Sequence, residues 1–222
     1  MQTNKRITIL CGHYGTGKTN VAVNTALALA KTREKVTVAD LDIVNPYFRT
    51  LDSAADLSAA GIRLICSRFA NSNVDIPSLP PDLYAITDDK SHRVVIDVGG
   101  DDSGAMVLGR LAPAITAEDS YEMWLVVNRF RPMTPDVPST VEVMREIEAA
   151  SHLKFTGIVN NSNFGVETTA QDVLDSVAYA TALAEAANLP LIATTVDTRL
   201  YAELEGQIPD SFPLQLQNNK PF

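Results

Sequence analysis

Residues 12–19 read Gly12-His13-Tyr14-Gly15-Thr16-Gly17-Lys18-Thr19, an uninterrupted G-x-x-x-x-G-K-[ST] directly after the apolar run Ile7-Thr8-Ile9-Leu10-Cys11. A strand, a glycine-rich loop and a helix in that order form a P-loop, which holds polyphosphate. Consecutive backbone N–H groups have to curl around the phosphates, through backbone angles that glycine adopts without strain. Lys18 is then placed to reach the β- and γ-phosphates, and the Thr19 hydroxyl to ligate Mg²⁺. The helix start that carries Lys18, Thr19 and Asn20 adds its positive dipole end. The stretch therefore predicts a nucleotide-binding set of Gly12, His13, Tyr14, Gly15, Thr16, Gly17, Lys18, Thr19 and Asn20, with Lys18 also catalytic.

Three later apolar runs end on polar groups. Val36–Ala39 delivers Asp40-Leu41-Asp42, Arg93–Ile96 delivers Asp97-Val98-Gly99-Gly100, and Phe155–Val159 delivers Asn160-Asn161-Ser162-Asn163. In open α/β sheets ligands bind at the carboxyl ends of strands, which is where all three groups fall. Asp42 also suits the residue that caps a turn into Asn45-Pro46, and an Asn opening a loop equally suits turn chemistry.

The elements that must hold these groups follow from periodicity. Further strands are expected at 62–66, 123–127 and 191–196, and helices at 51–60, 103–111, 139–150, 169–187 and 198–205, with one helical turn at 83–87. Residues 69–81, with Pro77, Pro80 and Pro81, read as a functional flap or a connector, and no period is visible after Gly206. Strands alternating with helices predict a parallel sheet covered on both faces. The fold expected is a three-layer α/β/α P-loop NTPase with a mostly parallel central sheet, in one domain over residues 1–222.

The stretch Gly17-Lys18-Thr19-Asn20-Val21-Ala22-Val23-Asn24-Thr25-Ala26-Leu27-Ala28, followed by Val38-Ala39-Asp40-Leu41-Asp42, resembles the MinD/ParA-type (SIMIBI class) P-loop ATPases. Their relatives among cobyrinate-synthase-like and metallocentre-accessory ATPases share it, and the likeness extends over nearly the whole chain. The resemblance implies that Asp40 and Asp42 hold the Mg²⁺ water shell and position the attacking water. It implies that Asp97 sits on a Mg²⁺-bound water, that the Gly99-Gly100 N–H groups sense the γ-phosphate, and that Asn160 or Asn161 pairs with adenine. Guanine-specific P-loop proteins usually show N-K-x-D, and Asn163 stands where its carboxylate would be, so ATP is expected over GTP. One departure concerns the family's K-G-G: His13 and Tyr14 replace the lysine that reaches a dimer partner's phosphates and the glycine after it. Either His13⁺ substitutes, or dimer-coupled hydrolysis works differently, or the two residues cover the phosphates or pack against neighbouring loops. Asn45–Arg49 occupies the switch I position, and Arg129 and Arg131 are candidates for a partner surface.

Composition narrows the partners. With 18 Lys+Arg against 27 Asp+Glu, the net charge is −9, and an acidic chain without a basic block disfavours nucleic acid. No apolar run approaches the ~20 residues of a membrane span, residues 1–6 lead straight into a strand, and the C-terminal stretch 209–222 lacks a basic amphipathic pattern. Cys11 and Cys66 lie in apolar runs and form no CxxC, as expected in a reducing, cytoplasmic setting. The expected function is a Mg²⁺-dependent, slow switch-type ATPase that forms a homodimer in its ATP state or docks a client protein. The alternatives are an ATP-dependent synthetase of the cobyrinate or dethiobiotin type, with a substrate cavity beside the γ-phosphate, and a non-hydrolysing nucleotide-binding module.

Overall fold

The computed structural model describes residues 1, 3–32, 34–41, 53–66, 81–100 and 102–216. Eight strands form one sheet: β1 (Ile7–Cys11), β2 (Val36–Leu41), β3 (Arg63–Cys66), β4 (Arg93–Val98), β5 (Tyr121–Val127), β6 (Gly157–Asn160), β7 (Leu191–Asp197) and β8 (Ser211–Leu214). Their spatial order is β3-β2-β4-β1-β5-β6-β7-β8, and every pairing is parallel. All carboxyl ends therefore lie along one edge.

Parallel strands buried on both faces need apolar residues at nearly every position, and β1, β2 and β4 have them. Alternation then assigns the faces. Leu10, Val38, Val95, Trp124 and Val126 pack on Val21, Ala22 and Ala26 of α1 (Lys18–Ala30) and on Leu57 of α2 (Ala54–Ala59). Ile9, Cys11, Ile96, Val98 and Leu125 face the opposite layer. That layer contains α3 (Pro81–Asp88), α4 (Asp102–Glu118), α5 (Val137–Ser151) and α6 (Ala170–Ala187). Helix α7 (Thr198–Leu204) packs through Leu204 on Val173 and Val196. The three layers are those expected from the sequence.

Two elements differ from expectation. Helix α4 runs to Glu118 rather than stopping at 111, with Pro113 inside it. An internal proline removes a hydrogen bond and clashes with the preceding turn, at about 3 kcal/mol. Burial of Leu108, Leu111, Ala112 and Ile115 on the sheet offsets that cost. The second is β8, unmarked in the sequence because Pro213 interrupts it. At the sheet edge, a residue without an N–H is tolerated on the open side.

Candidate nucleotide-binding site

The glycine-rich loop leaves β1 and enters α1 at Gly17, which caps the helix with φ 83°. A left-handed φ there excludes most side chains, and a Cβ would also overlap Asn161 Nδ2. Within the loop, the His13 carbonyl accepts from Thr16 Oγ1 at 3.0 Å and from Lys18 Nζ at 3.1 Å. Lys18 is thus folded across its own loop, buried at the helix start. Gly12 and Thr16 are buried, His13, Gly17, Thr19 and Asn20 half-buried, and Tyr14 and Gly15 exposed.

The carboxylates converge on this loop. In the sheet register Asp97 of β4 lies beside Leu10 of β1 on one side and Asp40 of β2 on the other. Leu10 belongs to the α1 face, so register partners Asp97 and Asp40 share it. Thr19 Oγ1 donates to Asp97 Oδ2 at 2.6 Å, tying the P-loop helix to the end of β4. Asp40 and Asp97 are both buried. One hydroxyl and two carboxylates make an all-oxygen donor set, which suits Mg²⁺, an ion that keeps several waters and takes few protein ligands. Among the described residues no group of three or more His, Cys, Asp or Glu could hold a metal ion. Asp42, the predicted catalytic carboxylate, lies outside the described residues, as do Asn45–Arg49 and most of the 69–81 stretch.

Gly100 meets the P-loop directly. A Cβ there would lie 2.5 Å from Tyr14 N, 2.7 Å from Tyr14 Cα and 2.9 Å from Lys18 Nζ. The segment after β4 and Lys18 are therefore in contact, and only glycine allows it.

Asn160 and Asn161 are at the predicted strand end, but their side chains are engaged by protein. Asn160 is 0% exposed. It donates to Ser176 Oγ at 2.8 Å and accepts from Ser162 Oγ at 2.7 Å. Asn161 is 1% exposed. It donates from Nδ2 to the Thr16 carbonyl at 2.7 Å and accepts from Thr195 Oγ1 at 2.6 Å. Asn160 also donates to Thr194 Oγ1 and accepts from the Ser162 N–H, which uses its whole amide, whereas Asn161 keeps one N–H and one oxygen lone pair beyond its two bonds. In this structure Asn161 braces the P-loop from beneath, a role its sequence position did not announce.

Arg131, named from the sequence only as a candidate for a partner surface, reaches back to the P-loop. It sits on the loop after β5, exposed, and donates Nε to the Gly15 carbonyl at 2.8 Å. Its Nη groups donate to nothing among the described residues. Next to it, Phe130 stacks on Phe164 with ring centroids 4.1 Å apart, and Phe164 stays 49% exposed. Arg129 lies over the Phe130 ring and donates to the Asp175 carbonyl. Nothing in the local pattern links residue 131 to residue 15.

No protein-family model matches this sequence, and no curated protein matches it. Solved structures do resemble it. The cell division protein FtsY from Thermotoga maritima superposes with a TM-score of 0.57 at 17% identity, over 88% of this chain and 63% of that one. A nucleotide-binding protein from Archaeoglobus fulgidus in complex with ADP gives 0.51 at 16% identity, over 92% and 90%. The signal recognition particle receptor FtsY from Elizabethkingia anophelis in complex with GDP gives 0.51 at 15% identity, over 88% and 58%. The chain thus spans less than two thirds of either FtsY. At such identities the shared property is the fold, that of α/β P-loop proteins, among them ones that bind ADP or GDP.

Proposed function

We propose that this chain binds a magnesium nucleoside triphosphate, with ATP favoured, and hydrolyses it slowly as a switch. The observation that carries the reading is the convergence of Lys18, Gly100, Thr19 and Asp97 on one loop. In this reading the P-loop amides and Lys18 hold the phosphates, Thr19, Asp40 and Asp97 hold the cation, and Asp42 orients the attacking water. The cation would neutralise charge on the β- and γ-oxygens. Arg131 adds a cation at the mouth of the loop from the same chain, where His13 replaces the lysine of MinD/ParA-type proteins. The base would rest on the loop after β6, against the open face of Phe164. Asn163 instead of a carboxylate in that loop favours adenine.

The switch would act through self-association or a client protein. Tyr14, Met133, Phe164 and Val166 are exposed apolar residues on loops that all leave the carboxyl edge of the sheet. Exposed apolar groups gathered around a ligand edge suit a contact surface that the nucleotide controls. Among the described residues no helix is long and apolar enough to cross a membrane.

Titration calorimetry with Mg²⁺ and ATP, ADP or GTP, with light scattering on the same samples, tests the proposal. ATP binding that exceeds GTP, a shift from monomer to dimer, and loss of binding in Lys18→Ala are expected. Unchanged ATP affinity in Lys18→Ala would overturn the site assignment.

A further inference from the structure

A cavity of about 420 Å³ lies beside the P-loop on the face away from α1. Its walls are Cys11 at the end of β1, Val98 at the end of β4, Ala105 of α4, and Val143 and Ile147 of α5. Cys11 and Val98 point into the layer opposite to the one that Asp40, Asp97 and Thr19 face. None of the proposed phosphate or metal ligands on α1, β2 or β4 lines it. The cavity thus adjoins the phosphate cradle on its other side, and the two share His13, Tyr14 and Gly100.

Its size is that of a small-molecule site, and its walls are mostly apolar. Burial pushes the Cys11 thiol up, so that wall stays uncharged. The polar groups sit at the rim. Glu146 supplies a carboxylate from α5, Tyr14 an exposed ring, and His13 an imidazole. A carboxylate and an aromatic ring at one mouth favour an ammonium group over an anion.

We infer that this cavity is a second ligand site, for a compact organic amine seated with its hydrocarbon on the α4–α5 wall and its ammonium at Glu146. Occupancy is coupled to the nucleotide, a part of the inference that rests on the proposed function. The coupling path is short. Gly100 contacts Lys18 Nζ and Tyr14, and a Cβ on Gly104 of α4 would lie 2.7 Å from Gly99 N. A ligand that presses on Gly99-Gly100 or Tyr14 shifts the same backbone that touches the phosphate-binding lysine.

The test uses 2-phenylethylamine as probe and 3-phenylpropionate as its anionic counterpart, titrated calorimetrically into the nucleotide-free protein at low salt. The amine is expected to bind saturably, and the carboxylate three- to tenfold more weakly. Glu146→Gln, at an exposed position, should weaken the amine about threefold, the usual worth of a solvent-facing ion pair. Val143→Trp should abolish binding by filling the cavity, with circular dichroism confirming the fold. No saturable binding, or binding unchanged in both variants, overturns the site. A second titration measures ATP with and without saturating amine, and at least a threefold change in affinity is expected. Equal affinities overturn the coupling alone. A protein that binds no ATP at all overturns the nucleotide reading and the coupling with it, while the amine titration still decides the cavity.

Discussion

Replacing Asn161 with Ala separates two roles, a brace for the P-loop and a contact to the base. As the structure has it, the amide is a brace. It donates to the Thr16 carbonyl at 2.7 Å and accepts from Thr195 Oγ1 at 2.6 Å, in a site where Thr16 is 0% and Thr195 6% exposed. Each bond contributes about 1 kcal/mol net, and each buried partner left alone costs about 1–3 kcal/mol. Partial relaxation brings the total for Asn161→Ala to about 2–4 kcal/mol, a large share of the roughly 5–15 kcal/mol that holds a domain of this size together. Urea denaturation followed by circular dichroism measures it. Thr195→Val should cost about 1–2 kcal/mol alone, and the double mutant should show a coupling of about 1 kcal/mol. Because the brace supports a loop that is blind to the base, ATP and GTP should weaken by the same factor. A stability change under about 0.5 kcal/mol together with selective loss of ATP over GTP would refute the brace and restore the base contact.

Gly100→Ala places a methyl against Tyr14 backbone and Lys18 Nζ, so Mg²⁺–ATP affinity should fall at least about tenfold with the fold intact by circular dichroism, as calorimetry would read. Arg6 and Glu118 form a nearly buried ion pair, and Arg6 also donates to the Ile86 carbonyl at 2.9 Å. The hydrogen bond from Arg6 holds the Glu118 carboxyl below its ordinary value. A depressed carboxyl stabilises the fold above its unfolded pKa of about 4.3 and loses that contribution as pH falls through the lower folded value. Urea midpoints should therefore drop below about pH 4.3, and Glu118→Gln, costing about 2–3 kcal/mol near neutrality, should flatten part of that slope.

What the sequence made legible was whatever chemistry is local. The P-loop motif, the strands that end on Asp40 and Asp97, and the alternation behind the three layers are all patterns within a few residues, and the structure has them where they were expected. One local signal misled. Pro213 obscured β8, yet an open sheet edge tolerates it, and the helix expected to end at 111 runs on through Pro113 because its face is buried in the core. Asn160 and Asn161 read as adenine ligands through the resemblance to MinD/ParA-type proteins. Their actual partners, Ser176, Thr194, Thr195 and Thr16, come from other elements and leave no mark near residue 160.

The same long-range contacts explain how one loop serves two halves of a sheet. On the β2–β4 side, Thr19 is tied to Asp97 and Gly100 presses on Tyr14, so the residues proposed to hold metal and phosphate are anchored to β4. On the β5–β6 side, Arg131 holds the Gly15 carbonyl and Asn161 the Thr16 carbonyl. The loop is thereby gripped by residues 97, 100, 131 and 161, none closer than 78 positions to the residue it touches. A perturbation at either half reaches the phosphate cradle through a single hydrogen bond or backbone contact, whereas the loop's own sequence determines only that a cradle exists. For that reason substitutions at residues 131 and 161, well outside the motif, are expected to change phosphate binding as strongly as many within it.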